Sequence, residues 1–210
     1  MAPVFFSLTI SSDVARDVRS SMQYLTESID LPSSAATALA VVSDLGLLLR
    51  LSPFWTLHAL TNGADGQSEA VLDHYANRTT TACSFTIEAS SPQKVSYHSV
   101  NGPFSEMTFH IEPRENGIRF AFDLGVETGD ESALRQTRQE LASWLRSIGE
   151  YIKLSSGATC PKRAAKWFMD RVWLRLTLSE RNIALIITAI SMLEIGLLLV
   201  LVLLWRMFVR

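Results

Sequence analysis

The sequence predicts an α+β fold, in which an antiparallel sheet wraps around a long C-terminal helix and is followed by an amphipathic helix and one transmembrane helix. Three observations predict it. Between Trp55 and Glu127, six short runs of strand character are separated by turn signals. Directly after them, Glu131 to Leu154 carries apolar residues at helical spacing. From Ile183 to Trp205 the chain runs 23 residues with one charge, Glu194. At a rise of about 1.5 Å per residue, such a helix crosses a hydrocarbon core of about 30 Å.

The elements follow in order. Residues 1–21 contain one strand-like run, VFFSLTI, and form an N-terminal extension. QYLTESIDL reads as a strand. Pro32-Ser33-Ser34 resembles a helix start, and AATALAVVSDLGLLLRLS reads as helix broken near Asp44-Leu45-Gly46. In that second piece Leu47, Leu48, Leu49 and Leu51 close the mouth of the fold, Arg50 points to solvent or the membrane surface, and Pro53 ends the helix. The strands WTLHALT, EAVLDHY, TACSFTIEA, KVSYHSV, SEMTFHIEP and GIRFAFDLGVE then form an antiparallel meander, the last two joined by Arg114-Glu115-Asn116-Gly117, whose Asn-Gly pair is a hairpin-turn signal. Leu134, Leu141, Leu145, Ile148 and Ile152 make one apolar face of the long helix, which the sheet covers. Residues 22–154 are thus one domain. Residues 155–181 are a linker and an interfacial helix, 182–206 a transmembrane helix and 207–210 a short tail.

Composition excludes some classes. With 19 basic against 21 acidic residues there is no excess of positive charge for phosphate backbones, so no nucleic acid is expected as partner. The N-terminus lacks a basic region followed by the apolar run of a secretory signal. Lys162, Arg163, Lys166, Arg171, Arg175 and Arg181 precede the apolar run, against Arg206 and Arg210 after it, which predicts a single-pass protein with a cytoplasmic N-terminal domain. Cys83 and Cys160 suit a reducing compartment. In 160–181, Ala164, Ala165, Phe168, Met169, Val172, Trp173 and Leu176 share a face, with Lys162, Arg163, Lys166, Asp170 and Arg171 away from it, as in a helix lying on anionic lipid.

The stretches LPSSAATALAVVSDLGLLLRLSPFW, FTIEASSPQKVSYHSVNGPFSEMTFHIEPRENGIRF and ELASWLRSIGEYIKL together resemble the START-like superfamily of polyketide cyclase/dehydrase and lipid-transport, or helix-grip, proteins. The resemblance covers roughly residues 22–154 and rests on element order. It implies a helix-grip sheet around the long helix and a cavity between them that takes a sterol, lipid, quinone, polyketide or hormone. Some members are cyclases and many are not enzymes.

Alternation along the strands assigns the concave face. Cys83, Phe85 and Ile87, then Val95, Tyr97 and Ser99, then Met107, Phe109 and Ile111, then Ile118, Phe120, Phe122, Leu124 and Val126 point inward. These strands offer no titratable group to the cavity apart from weak polar handles, so acid–base catalysis lacks its residues. The expected ligand contacts are Trp55, Phe85, Tyr97, Met107, Phe109, Phe120, Phe122, Leu141 and Leu145. His58, His74, His98 and His110 lie on separate strands without metal-ligand spacing, and no phosphate loop or nucleophile elbow is present, so neither metal nor cofactor is expected. Glu194 lies mid-span, with Ala184, Thr188 and Ser191 on a nearby face. These residues and Trp173 are the expected membrane and partner contacts.

The sequence therefore reads as a membrane-anchored binding protein for a hydrophobic molecule such as a lipid, quinone or isoprenoid, with membrane lipid and an integral-membrane protein as partners. Two alternatives stand beside it: an accessory subunit of a respiratory or photosynthetic membrane complex, and a cyclase or dehydrase.

Overall fold

A computed structural model describes residues 22–63, 66–75, 79–127, 130–157 and 159–208. The strand-like run in 1–21 lies outside the described residues.

The sheet has seven antiparallel strands: β1 (Met22–Leu31), β2 (Trp55–Asn62), β3 (Gln67–His74), β4 (Thr79–Ser91), β5 (Lys94–Val100), β6 (Glu106–Arg114) and β7 (Gly117–Glu127). Their order is β1-β7-β6-β5-β4-β3-β2. Six consecutive strands make the expected meander, and β1 pairs with the last of them from Met22↔Glu127 to Leu31↔Ile118. Helices α1 (Ala35–Val42) and α2 (Leu45–Leu51) fill the step from β1 to β2. Ser34 caps α1 by accepting from the Thr37 amide, and Asp44 caps α2 by accepting from the Leu47 amide, so the break at Asp44 separates two capped helices. The long helix α3 (Glu131–Ser155) is capped by Asp130 and packs on β1 and β7 and against α1 and α2. This is an α+β helix-grip fold.

Register fixes which side chains meet. Phe109 pairs with Phe122, Ile111 with Phe120 and Met107 with Leu124 across β6 and β7, while Tyr97 pairs with Met107 across β5 and β6. All these residues are buried, together with Leu141, Trp144, Leu145, Ile148 and Ile152 of α3.

Two local expectations change. Asn116-Gly117 is not the turn dipeptide: Arg114 and Gly117 pair, so Glu115 and Asn116 form the loop. Gly117 has φ 143° and lies where a Cβ would come within 2.1 Å of the Leu31 carbonyl oxygen, so its role is close approach to the end of β1. Ile87 is not inward-buried. It sits beside a register shift between Ile87 and Ala89 in β4 and is 49% exposed.

After α3 come α4 (Cys160–Arg171), a 3-10 turn (Trp173–Arg175) and α5 (Leu178–Phe208). The face expected on lipid is split in α4 and the turn after it: Met169 and Trp173 pack on the domain, while Phe168 and Val172 stay exposed. Lys166 donates to the Tyr151 hydroxyl (3.0 Å) and to Asp170 Oδ2 (2.7 Å), and Tyr151 donates to Asp170 Oδ1. Met169 and Trp173 pack beside this group, whereas Trp167 and Phe168 are 63% and 46% exposed. A polar latch thus holds α4 to α3 and turns its aromatic residues outward. Ser179–Phe208 of α5 is long and apolar enough to cross a membrane and is unburied along its most apolar window, which makes it a candidate span.

Candidate functional site

The helix-grip interior is where the expected ligand contacts converge. Phe109 stacks on Phe122 with ring centroids 4.4 Å apart and on Phe120 at 5.9 Å, and Phe122 meets Trp144 edge-on at 5.3 Å. Tyr97 meets Phe109 edge-on at 6.5 Å. Phe104, from the loop between β5 and β6, bridges Phe85 (6.0 Å) and Trp144 (6.1 Å). Of the nine expected contacts, Phe85, Tyr97, Met107, Phe109, Phe120, Phe122, Leu141 and Leu145 are buried in this packed cluster. Trp55 and Leu141 border a cleft of about 130 Å3 at its rim.

The polar handles of the interior are already engaged. The Tyr97 hydroxyl donates to the Val42 carbonyl at 2.7 Å, and the Trp144 indole donates to the Leu48 carbonyl at 3.0 Å. Burial, and secondarily the nearby Asp44 charge, raises the Tyr97 phenol well above the ordinary tyrosine value, so it stays a neutral donor. Burial likewise raises the Cys83 thiol, which keeps it unreactive. The Ser99 hydroxyl is buried without a hydrogen-bond partner among the described residues. Leu48 and Leu49 of α2 are fully buried, and the indole bond pins Leu48 from α3. The LGLLLRL stretch is therefore locked against α3.

Sequence reasoning missed one inward titratable group. His74 is buried at the rim, edge-on to Trp55 with ring centroids 4.4 Å apart, and its Nε2 lies 4.0 Å from Glu140 Oε1 of α3. The other histidines whose faces alternation assigned follow that assignment: His98 is exposed, and His110 bonds Asp123 at 3.0 Å across the outer face. Among the described residues no cluster of His, Cys, Asp or Glu could hold a metal ion.

A second concavity lies where the domain meets the candidate span. An apolar groove of about 580 Å3 runs between α2, α3, α4 and the start of α5. Leu51, Leu154, Met169, Trp173 and Leu185 form its apolar walls, and Arg146 and Arg181 are its cationic members. Trp173, expected as a membrane contact, belongs here. On α5, Thr188, Ser191 and Glu194 are exposed and Ala184 is half-buried. Thr188 donates its hydroxyl to the Ala184 carbonyl at 2.7 Å, within the helix.

No protein-family profile and no curated protein matches the chain. Solved structures do. One is a conserved protein from Geobacillus kaustophilus, 12% identical, covering 64% of this chain and 98% of that one with a TM-score of 0.50. Another is the Zhui aromatase/cyclase from a Streptomyces species, 9% identical, covering 65% and 97% with a TM-score of 0.50. At such identities the likeness is one of fold: the domain shares its helix-grip architecture with these proteins.

Proposed function

We propose that this chain is a membrane-anchored helix-grip protein that binds a hydrophobic or amphipathic molecule at its membrane-facing side. The observation that carries the reading is the groove of about 580 Å3 between the domain and the first turns of the apolar helix. Its size lies within the roughly 300–1,000 Å3 of small-molecule sites, and one wall, Leu185, belongs to the candidate span. A lipid, quinone or isoprenoid would reach it sideways from the bilayer. The aromatic interior would then serve as the rigid core that shapes the groove. The basic residues before α5 favour a cytoplasmic domain.

The test is native mass spectrometry of the full-length chain extracted in mild detergent. A hydrophobic molecule should co-purify, and Leu154→Lys in the groove should remove it. Preparations that carry no such molecule at any detergent concentration would reject the reading.

One observation favours a second reading, a cyclase-type enzyme. His74 and Glu140 at the rim of the grip supply the acid–base pair that such chemistry requires. The adjoining cleft of about 130 Å3 is too small for a polycyclic substrate, so this reading requires the rim to open. His74→Ala and Glu140→Gln should then lose turnover with any polyketide substrate the purified protein cyclises. An accessory role in a membrane complex, through Ser191 and Glu194, is compatible with the groove and is tested separately by what co-purifies.

A further inference from the structure

We propose that Arg50, Arg175 and Arg181 form a binding site for the phosphate-bearing headgroup of an anionic membrane lipid. The proposal rests on the groove reading above and names the chemistry at the groove's polar end. Beside the groove, and sharing Leu174 and Arg181 with it, lies a cavity of about 520 Å3 lined by these three arginines, with His58, Thr56 and Thr177 among its other walls. No lining residue is an Asp or Glu. Among the described residues, none of the three guanidinium groups is within ion-pair distance of a carboxylate. The acids close by are engaged elsewhere: Asp73 lies 3.5 Å from His58 Nε2, and Glu180 accepts from the Thr177 amide (2.7 Å) and hydroxyl (3.0 Å) in a capping box at the start of α5.

Arg181 is held in place by main-chain carbonyls. Its Nε donates to Trp173 at 3.0 Å, and Nη1 and Nη2 each donate to the Arg50 carbonyl at 3.3 Å. These bonds orient the guanidinium without neutralising it. Three permanently charged groups around one cavity repel one another unless an anion sits among them, and the planar fork of arginine matches phosphate oxygens. Depth selects the source of that anion. Arg181 stands two residues before the apolar run begins at Ile183, so embedding α5 brings the cavity to headgroup level. A lipid with its phosphate among the arginines and its chains in the groove would fill both concavities, which free phosphate does not.

The test uses the full-length protein in neutral maltoside micelles, titrated with short-chain phosphatidic acid, short-chain phosphatidylcholine and inorganic phosphate, with binding read by native mass spectrometry. Arg50→Gln and Arg175→Gln change exposed side chains and leave Arg181 with its carbonyl bonds. Phosphatidic acid should bind at least about tenfold more tightly than phosphatidylcholine, and each substitution should remove about tenfold of that affinity at an unchanged thermal midpoint. Arg175→Lys, which keeps the charge and loses the fork, should fall between. Equal binding of the two lipids, or unchanged binding by both glutamine variants, would overturn the arginine site and leave the groove reading intact. Inorganic phosphate binding as tightly as phosphatidic acid would overturn the lipid assignment. Failure of both lipids to bind would also overturn the arginine site, and the groove reading is then decided by the co-purification test above.

Discussion

Phe122 is the residue at which a filled core and a roomy cavity give opposite numbers. Its ring contacts Phe109 and Trp144 and is fully buried. Phe122→Ala should therefore cost about 3–5 kcal/mol in denaturant unfolding, as expected for a close-packed interior, whereas a slack cavity would show a small fraction of that. The tyrosines set an alkaline limit. Burial raises Tyr97, burial and then the bond to Asp170 raise Tyr151, and the bond to Glu106 raises Tyr24, against an ordinary value of 10.0. In each case the folded protein holds the phenolic proton more tightly than the unfolded chain does. The resulting stability is fully present below about pH 10 and is lost as pH rises above it. Tyrosinate absorbance should show Tyr97 ionising only together with unfolding, and Tyr97→Phe should remove that step while costing about 1–3 kcal/mol for the Val42 carbonyl left without its donor. The inward set of β5, β6 and β7 was legible because those strands alternate without interruption. The same rule, applied to β3, places His74 inward with Ala70 and Leu72, so the signal for it was present in the sequence; its approach to Glu140 of α3 was not, because that contact depends on tertiary packing.

Among the elements, α4 shows where helical periodicity stops being informative. Its apolar stripe is present in the sequence, but periodicity states only that two faces differ, not which one the domain takes. The latch of Lys166, Asp170 and Tyr151 decides that, and it joins residues 15 and 19 positions apart. Burial pulls the Lys166 ammonium down, yet its bonds to Asp170 and Tyr151 outweigh this and leave it raised, so Lys166 stays a charged donor throughout the neutral range. Lys166→Met should release α4. In hydrogen exchange, α4 amides should lose protection at neutral pH while those of α3 keep theirs. Unchanged protection of α4 would mean that Met169 and Trp173 alone hold it. On the proposed membrane-anchored reading, the outward Trp167 and Phe168 are a face offered to the same surface as the candidate span.

At the scale of the whole molecule, the buried apolar residues among those described run from Leu25 to Leu174, and none of the described ones comes from α5. The fold was readable in the sequence because strands, capped helices and the α3 stripe agree with one another. The groove and the arginine cavity were not, since they join α2 to residues more than a hundred positions later. The candidate span carries its own unsolved demand. Glu194 and Ser191 are exposed on α5, and a charged side chain at the bilayer centre costs about 2.5–3.5 kcal/mol on insertion scales. Thr188 has its hydroxyl satisfied by Ala184, so it makes no such demand; Glu194 has no hydrogen-bond or ion-pair partner among the described residues. If the span docks into a membrane complex, Glu194 is the group whose satisfaction fixes the docking. Glu194→Leu should then free the chain from its partner in mild-detergent size separation while preserving membrane insertion. Lipid binding in the groove should be unaffected, because no groove wall lies beyond Leu185. A leucine variant that still migrates with its partner would mean that Glu194 does not fix the docking.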